Sequence, residues 1–206
     1  MISEAVIENG AAKIEVGTWL VGRAQPAAFF GTAKLSGLKG FIVPDRATLR
    51  IVMTTASAWC ADSEKPFLTR LSALPDDSLN VVSAKLLVAP ATARVGARNL
   101  KLVPFSFLGT TAVTQLRQGW AVLATRSRVT RIALEEGETL TVRPEALVAW
   151  VGKEPTGFCP RLTLLDMLLP RGPRNLSYSF HGPAVIWFEG SVEQSLRRRM
   201  PNGVRA

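Results

Sequence analysis

The chain has 206 residues, 47% of them apolar, enough to bury one domain core and too apolar for general disorder. Its 25 basic and 16 acidic residues leave a formal charge of +9, a balance that favours anionic partners such as nucleic acid, phospholipid head groups or an acidic protein surface. One histidine and two cysteines, Cys60 and Cys159, are too few for a structural zinc site built from Cys and His.

The opening MISEAVIENG carries Glu4 and Glu8 with no basic stretch before an apolar core. It therefore reads as neither a secretory signal nor an Arg-rich presequence. No later run approaches the roughly 20 apolar residues of a membrane span. The two cysteines, far apart and outside any CxxC pair, are expected as reduced, buried thiols.

Short strands follow one another along the chain. Lys13 to Val21 is the first; Gly40 and Pro44-Asp45 then mark turns, and Pro75 to Asp77 marks another. Trp120 to Val129 alternates, with Trp120, Val122 and Ala124 sharing a face with Arg126 and Arg128. After Glu136-Gly137, the segment Glu138 to Val142 alternates more cleanly, with Leu140 and Val142 inward and Thr139 and Thr141 outward. Helical periodicity is confined to Leu162 to Leu169 and Val192 to Arg199, on either side of the turn at Pro170 to Pro173. The pattern predicts an all-β chain with few short helices.

Three segments read alike: Phe30 to Gly40, Phe107 to Gly119 and Phe180 to Gly190. Each has an aromatic residue (Phe30, Phe107, Phe180), a glycine (Gly31, Gly109, Gly182) and then a strand closed by another glycine. A second pair, Leu79 to Ala89 and Leu140 to Trp150, aligns without gaps, and Lys13 to Val21 is a fair third match. These repeats predict a closed pseudo-threefold sandwich or barrel in which the first strands complete the last repeat, leaving few open edges. Residues 1–195 form that single domain; 196–206 are a basic tail.

Catalytic chemistry finds little footing. His181 is the one imidazole, and its counterpart positions in the repeats are apolar, so a packing or edge role is expected. There is no GxSxG elbow and no Walker loop, and Asp76-Asp77 and Glu135-Glu136 sit beside turns, where neighbouring carboxylates point apart. The chain is expected to be no enzyme, with no cofactor and no metal. Arginine carries more information. Arg126, Arg128 and Arg131 fall in one short stretch, Arg171 and Arg174 flank a Pro-Gly loop, and Arg197, Arg198 and Arg199 lead into the tail. Their planar forks suit phosphate. Trp150 and Trp187 lie in strand patterns, where core packing is the commoner role.

The stretch Val103 to Gly190 resembles the Altered Inheritance of Mitochondria protein 24 family. Gly137, Glu138, Leu140, Val142, Pro144 and Ala146 to Ala149 fill its central motif, and Phe180, Gly182 and Pro183 its later one, with Ala184 in place of a second glycine. The resemblance implies a fold similar to the tryptophan RNA-binding attenuation protein, of double-stranded β-helix type, three units in one chain. It also implies a non-catalytic scaffold in a larger assembly, mitochondrial (matrix or inner membrane) in a eukaryote and cytoplasmic in a bacterium. The alternative is an RNA-associated β-module, a structural subunit of a ribonucleoprotein such as a mitochondrial ribosome or its assembly intermediate. Protein partners, and RNA or anionic lipid through the arginines, are the expected contacts; a transmembrane role is not.

Overall fold

The computed structural model describes residues 5–22, 26–29, 33–37, 50–54, 57–62, 64–73, 77–90, 92–93, 95–101, 110–158 and 177–190. Among them the chain is nearly all β, without an α-helix. The first strands are β1 (Ala5–Glu8), β2 (Ala11–Ile14), β3 (Gly17–Val21), β4 (Pro26–Phe29), β5 (Ala33–Gly37), β6 (Arg50–Thr54) and β7 (Ala58–Cys60). Next come β8 (Phe67–Ser72), β9 (Leu79–Val82), β10 (Leu86–Pro90), β11 (Val95–Lys101), β12 (Thr110–Leu116) and β13 (Trp120–Thr125). The last are β14 (Val129–Leu134), β15 (Thr139–Val142), β16 (Leu147–Gly152), β17 (Thr156–Phe158), β18 (Ser177–His181) and β19 (Ala184–Glu189). A single 3-10 turn, Ser83–Lys85, joins β9 to β10. The helical candidates Leu162 to Leu169 and Val192 to Arg199 lie outside the described residues.

All pairings are antiparallel and build four sheets. Their orders are β1-β2-β7-β4, β5-β6-β3-β10-β13-β8, β11-β12-β9-β16-β19-β14 and β15-β18-β17. The two six-stranded sheets follow one plan. Ala33 and Val95 open their first strands, and Gly17 and Leu79 their third, each pair 62 residues apart. The segments Leu79 to Ala89 and Leu140 to Trp150 are likewise built alike, as strand, tight turn, strand.

The aromatic-glycine repeat does not coincide with this plan. The strands that follow Gly109 and Gly182 are β12 and β19, the second and fifth members of the same sheet, so they are not structural counterparts. Pattern matching misleads here because a glycine before an apolar strand is what any tight strand entry needs. Phe30, Gly31, Phe107 and Gly109 themselves lie outside the described residues.

Three apolar cores separate successive sheets. Between the first and second lie Ile14, Trp19, Cys60, Trp120 and Val122. Leu20, Leu79, Val81, Leu116, Leu123 and Val148 fill the space between the second and third. Leu147, Trp150, Tyr178, Phe180 and Ile186 close the gap between the third and fourth. The inner sheets are thus covered on both faces, which explains why β13 and the apolar part of β16 read as nearly continuous hydrophobic runs. Period two still sorts the faces: Trp120, Val122 and Ala124 of β13 point one way, Ala121 and Leu123 the other. In β10 and β16 an irregularity in pairing turns two successive residues to one side, Leu87 with Val88 and Val148 with Ala149. Aromatic pairs anchor two cores, a tilted Trp19–Trp120 with ring centroids 5.7 Å apart and an edge-to-face Trp150–Phe180 at 5.8 Å.

Chain crossings set two glycines. A Cβ on Gly22 would fall 1.9 Å from the Leu86 carbonyl oxygen, and one on Gly182 1.7 Å from that of Glu135. Each also donates its N–H to a neighbouring strand or turn, Gly22 to Leu87 and Gly182 to Glu138, both at 3.0 Å. Backbone meets backbone at both crossings, and no side chain fits.

Candidate functional site

The arginines of the central stretch gather at one end of the third sheet. Alternation would carry β13 through Arg128 and set Arg126 and Arg128 on one face of it. The structure corrects this: β13 ends at Thr125, and Arg126 and Arg128 belong to the turn before β14. The Thr125 hydroxyl lies 2.8 Å from the Ser127 carbonyl and 3.1 Å from that of Phe67, so a side-chain bond to the backbone two residues on bends the chain out of the sheet. The Arg128 carbonyl accepts from Gly190 N–H at 3.2 Å, which fixes the turn against the end of β19. Arg131 stands on β14 opposite Trp187. All three arginines are exposed, and none has an ion pair among the described residues. Arg171, Arg174, Arg197, Arg198 and Arg199 lie outside the described residues.

Two lysines join this group, and sequence reasoning missed both. Lys85 is buried on the 3-10 turn; its ammonium donates to the Glu145 carbonyl at 2.8 Å and forms an ion pair with the Glu189 carboxylate. Burial lowers its pKa below the ordinary lysine value, Glu189 raises it by hydrogen bond and charge, and the positive charges of Lys65 and Arg126 lower it again. Lys65 donates to the Ala84 carbonyl at 2.7 Å and pairs with Asp62 at 3.4 Å. Lys65, paired with Asp62, and Arg126 are thus the positive charges that act on an internally neutralised Lys85. A lysine inside an apolar strand-turn-strand segment is an isolated charge in sequence; only the chain path from Ser83 to Glu189 gives it a partner. Beneath it, the buried hydroxyls of Ser83 and Thr114 bond each other at 2.8 Å.

His181 is exposed at the end of β18, with Nδ1 3.1 Å from the hydroxyl of its cross-strand partner Thr139. Glu135 and Glu136 are exposed at their turn, where Glu135 N–H donates to the Glu138 carboxylate at 2.7 Å. Cys60 is free and fully buried, its thiol pushed up to about 11 by desolvation; Cys159 lies outside the described residues. Of the tryptophans in strand patterns, Trp150 is fully buried and Trp187 half-buried. Among the described residues no cluster of three His, Cys, Asp or Glu could hold a metal, and no helix is long and apolar enough to cross a membrane.

No family model matches the chain, and no curated protein matches it. Among solved structures, the crystal structure of protein SPYM3_0169 from Streptococcus pyogenes is similar, with a TM-score of 0.69 over 96% of this chain and 99% of that one. The two sequences are 13% identical, so the likeness is one of fold.

Proposed function

We propose that the chain is a non-catalytic scaffold of the mitochondrial-inheritance type, a structural member of a larger assembly that protein partners grip along the β1 edge. The apolar character of that edge carries the reading. Val6 is 48% and Ile7 39% exposed on a strand that pairs only with β2 among the described strands. Backbone groups left without a strand partner among the described residues, beside apolar side chains, make a template for strand addition. Asn9 and Gly10, both at positive φ, close β1 and β2 into a tight two-residue hairpin whose twist matches that of the two strands. Phe67, 41% exposed at the start of β8, adds to the apolar surface, and Arg70 ties β8 to β1 through the Ala5 carbonyl at 3.4 Å.

In the same reading the outer sheets are halves of a third six-stranded sheet. The order β17-β18-β15 running on into β4-β7-β2 would reproduce the plan of the two inner sheets, with β1 as an added edge strand. The assembly is mitochondrial in a eukaryotic cell and cytoplasmic in a bacterial one. Replacing Val6 and Ile7 by lysine is expected to strip protein partners in native purification with mass spectrometry, while stability stays within about 0.5 kcal/mol, as for exposed sites generally. Retention of every partner by the double variant would sink the proposal.

One observation favours an RNA-associated module as the second reading. Arg131 and the half-buried Trp187 stand directly opposite each other on β14 and β19, beside Arg126 and Arg128. That combination offers a phosphate fork next to a stacking surface. Replacing Arg126, Arg128 and Arg131 by glutamine would then weaken RNA binding and flatten its salt dependence. Nuclease treatment that leaves the purified assembly intact and RNA-free speaks against it.

A further inference from the structure

The ends of β9, β14, β16 and β19 leave an open cleft of about 690 Å³, a volume suited to a small organic ligand. Leu134 and Ala184 line its apolar part, and Asp77, Asn80, Arg98, Lys153 and Glu154 its polar part. The polar side is built from the inside outward. Asn80 is 2% exposed, and its amide nitrogen lies 3.3 Å from the Ser78 carbonyl and 3.4 Å from that of Trp150. Those contacts turn its amide oxygen to Arg98, which donates from Nη2 at 2.8 Å. Arg98 is therefore fixed from behind by a buried residue that has no other evident task.

In front, Nη1 of Arg98 holds the Glu154 carboxylate. The two partners are unequal. The Glu154 side chain is 58% exposed and lies on the connection between β16 and β17, whereas Arg98 is 32% exposed with a buried Nε that has no partner among the described residues. Burial also holds the guanidinium below its ordinary pKa. An exposed ion pair is worth little, so Glu154 can leave at small cost while Arg98 stays in place.

We propose that Arg98 anchors a carboxylate-binding site, in which Glu154 is an internal stand-in that the carboxylate of a ligand displaces. The ligand is a monoanionic acid on a short apolar body, which lies against Leu134 and Ala184, on the same face of the third sheet as Asn80 and Arg98. A planar fork matches a carboxylate; with Glu154 displaced, Lys153 and Asp77 of the lining offset each other and leave one guanidinium to meet one negative charge. A free aliphatic acid and the C-terminal residue of a peptide carry the same chemistry.

The test is NMR titration of the isotope-labelled full chain with 4-methylpentanoate and its amide, and with acetyl-Gly-Gly-Val bearing a free or an amidated C-terminus. An acid is expected to shift the Arg98 Nε–H and the Leu134 and Ala184 methyl resonances saturably, and its amide is not. Saturation by the free acid alone assigns a metabolite site, and by the peptide alone a chain-terminus site. Glu154→Gln, which removes the competitor, is expected to tighten binding roughly threefold, and Arg98→Lys to weaken it at least about tenfold. Equal binding of acid and amide, unchanged or weaker binding in E154Q, or no saturation by about 10 mM overturns the proposal. Should R98K fail to fold by circular dichroism, E154Q and the acid-amide comparison still decide.

Discussion

Replacing Glu189 by glutamine leaves the Lys85 ammonium in place and removes the charge that balances it. The two side chains are 10% and 14% exposed, so little water can take over. The Glu145 carbonyl remains as one acceptor at 2.8 Å, and glutamine can offer a second. Breaking a buried pair from one side costs about 3 to 5 kcal/mol; the retained acceptors put the expected loss at the low end, about 3 kcal/mol at pH 7. The pH dependence gives a second reading of the same pair. Lys85 already titrates below the ordinary lysine value because burial outweighs the raising effect of Glu189. Between its folded and unfolded pKa the unfolded chain binds more protons, so stability rises with pH through that window. Without Glu189 the folded pKa falls further and the window opens at lower pH. The gap between wild type and E189Q should therefore be widest near pH 7 and narrow as pH approaches 10. Urea unfolding followed by circular dichroism at several pH values measures it. Restoring neutrality with Lys85→Met and Glu189→Met together should recover most of the loss. A loss below about 1 kcal/mol at pH 7, or a gap that stays flat or widens toward pH 10, would refute the assignment of Lys85 as a buried, pair-dependent cation.

The remaining expectations are simpler. Gly182→Ala forces a Cβ to within 1.7 Å of the Glu135 carbonyl, so thermal unfolding should fall by roughly 6 to 12 °C, the equivalent of about 3 kcal/mol in a chain of this size; an unchanged midpoint means that the crossing is looser than described. Cys60, fully buried with its thiol near 11, should resist iodoacetamide at pH 8 in a Cys159→Ser background and react only in denaturant. Labelling of the folded protein at the rate of a free thiol, read by mass spectrometry, contradicts that burial. Trp120→Ala removes a ring packed 5.7 Å from Trp19 and covered by the Arg70 guanidinium at 4.6 Å; a loss of about 3 to 5 kcal/mol is expected in urea unfolding, and one under 1 kcal/mol would show that the first core does not depend on this pair.

Fold class was legible because alternation is a local property. Leu140 and Val142 turned inward and Thr139 and Thr141 outward on β15 as their spacing required, and Gly119 and Gly137 sit at positive φ where turns were read. Strand neighbours were not legible, since β12 and β19 open with similar sequence yet occupy unlike places in one sheet; pairing depends on contacts between residues far apart in the chain. The arginine site divides in the same way. Arginine content marked residues 126 to 131 as exposed and cationic, but β13 ends at Thr125, whose hydroxyl bonds the Ser127 and Phe67 carbonyls, and Arg126 and Arg128 fall in the turn beyond it. Lys65, Lys85, Asn80 and Arg98 carry no local signature, because what gives them meaning is a partner 18 to 104 residues away. Sequence alone thus determined an all-β chain of basic net charge, through periodicity and composition. The three-dimensional path decided which strands meet, which cations are buried and which polar groups converge, because those are consequences of non-local packing.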